Sequence, residues 1–289
     1  MRFLSFKIDG EHGLAAHTET GAIRGLLAKD PNYPGDLRSL IGSGRADAEL
    51  AKTLLFRGRE FDAESISVLP PLSGIGKIIC VGLNYADHTA ETGFEAPAYP
   101  NLFVRFESSL VGHGDPIIRP QVSRCLDFEG ELAAVVGKGG RHIAYDNALE
   151  HIAGYSVFND ASIRDFQLRT TQWTAGKNFD RTGAFGPHFV TADELPPGCK
   201  GLRLATRLNG KIVQSASTSE MIFDVASLVQ MISAVLTLEA GDVIVTGTPA
   251  GVGMAREPKL YMEPGDVCEV EIEQVGLLRN VIADEELAP

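Results

Sequence analysis

Leu126-Asp-Phe-Glu-Gly-Glu-Leu-Ala-Ala-Val-Val136 sets three carboxylates against a run of apolar residues. Its period-two alternation places Asp127, Glu129 and Glu131 on one face of a strand. Same-side residues of a strand stand roughly 6.5–7 Å apart. These like charges therefore repel one another and resist burial unless a cation lies between them. A solvated edge strand is the plain alternative. The next apolar strand pattern, Gly154-Tyr-Ser-Val-Phe-Asn-Asp-Ala161, also ends on an acid, Asp160, and two strands ending in acids can build an all-oxygen pocket. Glu129, Glu131 and Asp160 are the candidate metal ligands. Neither segment offers Cys or His, so a hard divalent ion, Mg²⁺ or Mn²⁺, suits the pocket better than zinc.

Around this stretch the pattern is strand-rich. Strands are expected at Ile78–Gly82, Asn101–Phe106, Leu126–Gly137, Gly154–Phe158, Leu202–Leu208, Asp242–Thr246 and Cys268–Val275. Asn209-Gly210 reads as a hairpin turn. One amphipathic helix is expected over Met221–Leu238, with Ile222, Val225, Leu228, Val229, Ile232, Val235 and Leu236 at helical spacing. The Pro/Gly-rich piece Leu69-Pro-Pro-Leu-Ser-Gly-Ile-Gly76 is a boundary between a small N-terminal domain, 1–72, and a larger domain, 73–289. The pattern alone gives a β-rich mixed α+β fold.

A chain of 289 residues can bury a full core. Its net charge of −12 argues against a nucleic-acid partner, which needs a basic face, but leaves room for an anionic substrate beside a local cation. No apolar run approaches the length of a membrane span, and the charged start Met1-Arg-Phe-Leu-Ser-Phe-Lys7 lacks a signal-peptide pattern. A cytoplasmic protein is expected. The 4 cysteines are widely spaced, with no C-x-x-C, and are expected as free thiols. No P-loop, dinucleotide fingerprint, H-E-x-x-H or G-x-S-x-G pattern is present.

Asn84 can cap a short helix ended by Gly93, which would set His88 and Glu91 three residues apart on one face. A carboxylate beside an imidazole fixes its tautomer and raises its basicity, as a water-activating base requires; a solvated surface pair is the alternative. Lys177, in Trp173-Thr-Ala-Gly-Lys-Asn-Phe179, is either a surface lysine or a shielded ammonium for a developing oxyanion. Arg164 and Gln167 are either helix-surface residues or, three apart after Asp160, aimed toward the metal. The glycines of Thr246-Gly-Thr-Pro-Ala-Gly-Val-Gly253 allow close backbone approach to a ligand, or simply a tight loop.

Six blocks in order resemble the fumarylacetoacetate hydrolase family: Lys77–Glu91, Leu126–Glu131, Asn159–Gln167, Gly176–Asp180, Asn209-Gly210 and Thr246–Gly253. The resemblance spans roughly residues 75–285. It implies a small N-terminal domain followed by a mixed β-roll that holds the metal and assembles as a homodimer. It also implies a lid carrying His88 and Glu91, a lysine, Lys177, near the substrate carbonyl, and Thr248 at the substrate's carboxylate end. The implied reaction is hydrolysis of a C–C bond in acylpyruvate-type 2-oxo acids, with a metal-stabilised enolate and water activated by His88 and Glu91. Where many relatives have lysine, this chain has Arg105, and the segment after Asp180 departs from the usual one. Arg105, Arg164 or Arg181 is therefore expected to pair with a distal carboxylate, as in fumarylpyruvate or maleylpyruvate. The same scaffold also serves decarboxylases, hydratases, isomerases and lyases. A catalytically silent metal-dependent binding protein is the non-enzymatic alternative.

Overall fold

The apolar run after Glu131 forms a strand, Gly130–Val136, buried at every residue, as expected for a strand covered on both faces. In this computed structural model, which describes residues 1–43, 45–87, 91 and 97–286, that strand lies inside a 12-stranded mixed sheet. Ile152–Asn159 pairs antiparallel on one side of it and Val243–Val245 antiparallel on the other. Beyond Val243–Val245 come Ile78–Gly82, paired in parallel, and the edge strand Asn101–Arg105. Beyond Ile152–Asn159 comes Gly183–Thr191, which pairs antiparallel with Arg2–Ile8. Glu11–His17, Ile23–Leu27 and Arg59–Phe61 extend the sheet from there. The N-terminal segment is thus built onto the edge of the same sheet.

A second, 5-stranded sheet runs in the order Lys211–Ser217, Arg203–Leu208, Val267–Ile272, Gly276–Asp284, Ile117–Arg119. Leu132, Ala134 and Val136 of the first sheet share one buried cluster with Leu204, Val270, Ile272 and Leu278 of the second. Asn209 and Gly210 close the hairpin with φ of 51° and 76°, the left-handed pair that an Asn-Gly turn supplies. The architecture is α+β and strand-rich. Among the described residues no helix is long and apolar enough to cross a membrane.

Two expectations change in detail. The strand expected over Leu126–Gly137 is broken: Leu126–Asp127 pairs with Ser162–Ile163 in a separate ladder. Side-chain amides interrupt the pairing, because Glu129 N donates to Asn159 Oδ1 at 3.0 Å and Gly130 N to Gln214 Oε1 at 3.0 Å. The break removes the common face on which Asp127 was expected to join Glu129 and Glu131. The helix expected over Met221–Leu238 covers Val225–Val235. Asn84 holds the preceding residues extended, accepting from Ile222 N through its backbone and from Phe223 N through its side chain, both at 2.7 Å. Asp224 then caps the helix by accepting from Ser227 N at 2.9 Å, an arrangement worth about 1 kcal/mol.

Candidate metal centre and active site

Glu129 and Glu131 face the same way through the strand's alternation, and the residue between them, which faces the second sheet, is glycine. A Cβ at Gly130 would stand 2.2 Å from Thr206 Oγ1 and 2.9 Å from Val270 Cγ1, so only hydrogen lets this strand press against the second sheet. Asp160 follows Asn159, which lies opposite Gly130 in the neighbouring strand, and its N–H donates to Glu129 O at 2.8 Å. Ligand oxygens of Glu129, Glu131 and Asp160 lie within 4.8 Å of one another, and all three residues are buried.

Three basic groups hold this cluster. Lys177 Nζ bridges Glu129 Oε2 and Asp160 Oδ2, the latter at 2.6 Å. Arg164 donates through Nε to Asp127 Oδ2 at 2.8 Å and through Nη1 to Glu129 Oε1 at 2.7 Å. Arg105 Nη1 donates to Asp160 Oδ1 at 2.6 Å. Glu131 differs from its neighbours: among the described residues its hydrogen-bond partner is a backbone group, Gly247 N, at 2.6 Å. Gly247 has φ of 100°, and a Cβ there would stand 2.7 Å from Asn84 Cβ, so glycine is what lets this N–H reach the carboxylate.

Burial, then Asp160 and Glu129, push the Glu131 carboxyl well above the usual carboxylate range. Burial opposes the charge on Lys177, but Asp160 and Glu129 outweigh it and hold its ammonium above the ordinary lysine value. Four buried carboxyl groups, counting Asp127, stand against three basic groups, and among the described residues Glu131 is the one without a basic side chain as hydrogen-bond partner; a divalent cation would supply the missing positive charge. Carboxylate oxygens each offer more than one lone pair, so Glu129 and Asp160 can accept their present donors and still ligate. An all-oxygen, buried, under-neutralised donor set fits a hard divalent cation held by Glu129, Glu131 and Asp160.

Arg164, Gln167, Lys177 and Thr248 line a cavity of about 30 Å³ together with these three carboxylates. Gln167 Oε1 accepts from Arg164 Nη1 at 2.8 Å. Thr248 Oγ1 donates to Gly130 O at 3.0 Å and accepts from Gln214 Nε2 at 2.8 Å. Arg105 sits elsewhere. Its side chain is fully buried behind Asp160, where Ala161 O, Thr182 Oγ1 and Ser109 Oγ accept its remaining donors. It therefore does not reach the cavity wall as the pairing with a distal carboxylate required, and Arg181 is exposed with φ of 59°. His88 lies outside the described residues. Glu91 accepts from Gly251 N through both oxygens at 2.9 Å, which ties it to the loop that carries Thr248.

Two participants were hidden in the sequence. Asp127 is a strut, accepting from Gly253 N at 2.7 Å, Met254 N at 2.9 Å and Arg164; its place in the acidic run disguised it. Gln214, buried in the Lys211–Ser217 strand, ties Gly130 to Thr248 and Pro249. A buried position in an alternating strand was its only signal.

A buried carboxylate triad threaded by lysine and arginine, within a strand-rich α+β scaffold, is of a class that can hold a metal ion. The chain belongs to the fumarylacetoacetate hydrolase family: the family described as "Fumarylacetoacetate (FAA) hydrolase C-terminal" matches residues 77–283. It is 40% identical over 266 residues to the mitochondrial oxaloacetate tautomerase of Xenopus laevis, covering 91% of this chain and 83% of that one. Its structure is similar to a fumarylacetoacetate hydrolase from Exiguobacterium antarcticum, with a TM-score of 0.86, 37% identity and coverage of 99% and 100%. It is also similar to a 5-carboxymethyl-2-hydroxymuconate delta-isomerase from Mycobacterium smegmatis, with a TM-score of 0.77, 30% identity and coverage of 99% and 100%.

Proposed function

We propose that this protein is a Mg²⁺- or Mn²⁺-dependent enzyme that moves a proton between C3 and the enol oxygen of a short 2-oxo acid, the keto–enol tautomerisation of an oxaloacetate-type substrate. The observation that carries this reading is where the cavity keeps its positive charge. Its two basic side chains among the described residues, Arg164 and Lys177, both stand at the carboxylate end. Gln167 and Thr248 add uncharged polar groups, and the rest of the wall is apolar or glycine, including Phe103, Leu168, Trp173 and Met254. Such a cavity suits a substrate whose charges fall within a few carbons of the keto group. The Xenopus relative's name supports the same reading.

A divalent cation on Glu129, Glu131 and Asp160 would supply Lewis acidity to the substrate's keto and carboxylate oxygens. The protein's own groups do the rest. Arg164 Nη2 is a buried donor without a partner among the described residues, aimed by Asp127, Glu129 and Gln167, and it binds the substrate carboxylate. Lys177, held charged by Glu129 and Asp160, donates to the enolate oxygen, so it serves as the acid. The base that takes the C3 proton is assigned to His88, on the His88-x-x-Glu91 pattern. The apolar part of the wall strengthens each of these interactions by lowering the local dielectric.

Acylpyruvate hydrolysis is the second reading. It is favoured by Glu91, whose carboxylate is fixed at the Thr248 loop and could orient His88 toward water. Mg²⁺-loaded protein assayed with enol-oxaloacetate, acetylpyruvate and fumarylpyruvate separates the two. Tautomerisation with the highest kcat/KM supports the first reading; faster cleavage of either acylpyruvate replaces it with the second.

A further inference from the structure

The contacts of the cavity run outward in a fixed order. Lys177, on the carboxylates, lies over the Phe103 ring with Nζ 4.9 Å from its centroid. Phe103 in turn meets Trp173 edge-on, with centroids 5.5 Å apart. Trp173 lines the same cavity as the metal ligands and lies beyond Phe103 along this line of contacts. It is also wedged. A Cβ at Gly82 would stand 2.2 Å from Trp173 Cζ3 and 2.8 Å from Cη2, so the indole rests directly on the backbone of the Ile78–Gly82 strand. Gly82 is thus a glycine that makes room for this ring.

We infer that Trp173 is a specificity-determining residue that sets the length of 2-oxo acid the cavity accepts, an inference that rests on the 2-oxo acid reading above. A rigid aromatic wedge between Phe103 and the Gly82 backbone cannot withdraw without disturbing a sheet strand. With about 30 Å³ of room in front of it, on the order of one water molecule, the cavity favours the shortest acids, and each further methylene presses on the indole. Removing the indole opens an apolar slot lined by Leu83, Phe103 and Leu168, where added methylenes are buried at about fourfold in affinity each.

The test is calorimetric binding of straight-chain 2-oxo acids, pyruvate through 2-oxohexanoate, to the Mg²⁺-loaded full chain. The parent should lose at least tenfold in affinity between 2-oxobutanoate and 2-oxohexanoate, whereas Trp173→Ala should reverse that order. Trp173→Phe should fall between them, and it keeps the experiment decisive if the alanine variant does not fold. Trp173 is the chain's only tryptophan, so 2-oxobutanoate binding should also change the parent's intrinsic emission. A parent that binds six carbons as well as four, variants that keep the parent's profile, silent emission on binding, or no binding at all would each overturn the inference. Failure of the tautomerase reading is separate: it appears as a length profile that shifts in Trp173→Ala while enol-oxaloacetate is not turned over.

Discussion

Replacing Glu131 with glutamine separates the metal role of this residue from its role in folding, because the two respond with opposite sign. In the metal-free protein Glu131 is a buried carboxylate with ligand oxygens of Glu129 and Asp160 inside 4.8 Å and a backbone N–H as its hydrogen-bond partner. Two like charges at that separation repel by roughly 3.5 kcal/mol at an effective dielectric of about 20. The upward shift of the Glu131 carboxyl, caused by burial and these neighbours, limits how much of this repulsion is expressed. Glutamine keeps the acceptor for Gly247 N, offers its amide N–H groups to the neighbouring carboxylates and removes the charge. The chelator-treated variant should therefore be more stable than the chelator-treated parent by about 2 kcal/mol, a rise in Tm of about 4 °C. Added Mg²⁺ should act the other way. The parent gains about 2.7 kcal/mol at a hundredfold excess over its Kd, and the variant should gain much less. Scanning calorimetry of both proteins, with chelator and with Mg²⁺, reads all four states. A variant less stable than the parent without metal, or one stabilised by Mg²⁺ as strongly as the parent, would refute the reasoning.

Arg105→Met strips the buried Asp160 of a charge partner and should cost about 3–5 kcal/mol in urea unfolding. Arg105→Lys should recover part of that, and the activity loss should fall on mono- and dicarboxylic 2-oxo acids alike; a loss confined to dicarboxylates would return Arg105 to the cavity. Acid stability rests on His188, whose imidazole is pushed down to about 3 by burial, His17, Arg2 and His113. A histidine depressed in the folded state stabilises fully above its unfolded value near 6.5 and loses that contribution as pH falls toward 3. At pH 5 the loss is about 2 kcal/mol, and His188→Gln should flatten the decline in urea stability between pH 7 and pH 5.

What could be read from the sequence was the local part of the site. Glu129 and Glu131 were legible because a strand's alternation fixes which way two residues face, and Asp160 because it ends the adjacent apolar run. The Asn209-Gly210 turn and the core strands were legible for the same local reason. Asp127 was misplaced because the alternation that serves Glu129 and Glu131 stops at a break made by Asn159 and Gln214, residues distant in the chain. The helix start moved to Val225 because Asn84, far upstream, holds Ile222 and Phe223 extended. Arg105 read as a cleft residue since an arginine's partners are invisible to sequence; Asp160, Thr182 and Ser109 come from three separate segments. The pairing of Arg2–Ile8 with Gly183–Thr191 is another contact across the chain that no local pattern carries.

The most direct test of the central claim is the rate of enol-oxaloacetate ketonisation in chelator-stripped protein, before and after addition of Mg²⁺ or Mn²⁺. The rate should fall to the uncatalysed value without metal, return with either ion, and stay near background in Lys177→Met even when metal-loaded. Undiminished catalysis by the stripped protein, or full activity in metal-loaded Lys177→Met, would contradict a mechanism built on the Glu129, Glu131 and Asp160 cluster and its lysine.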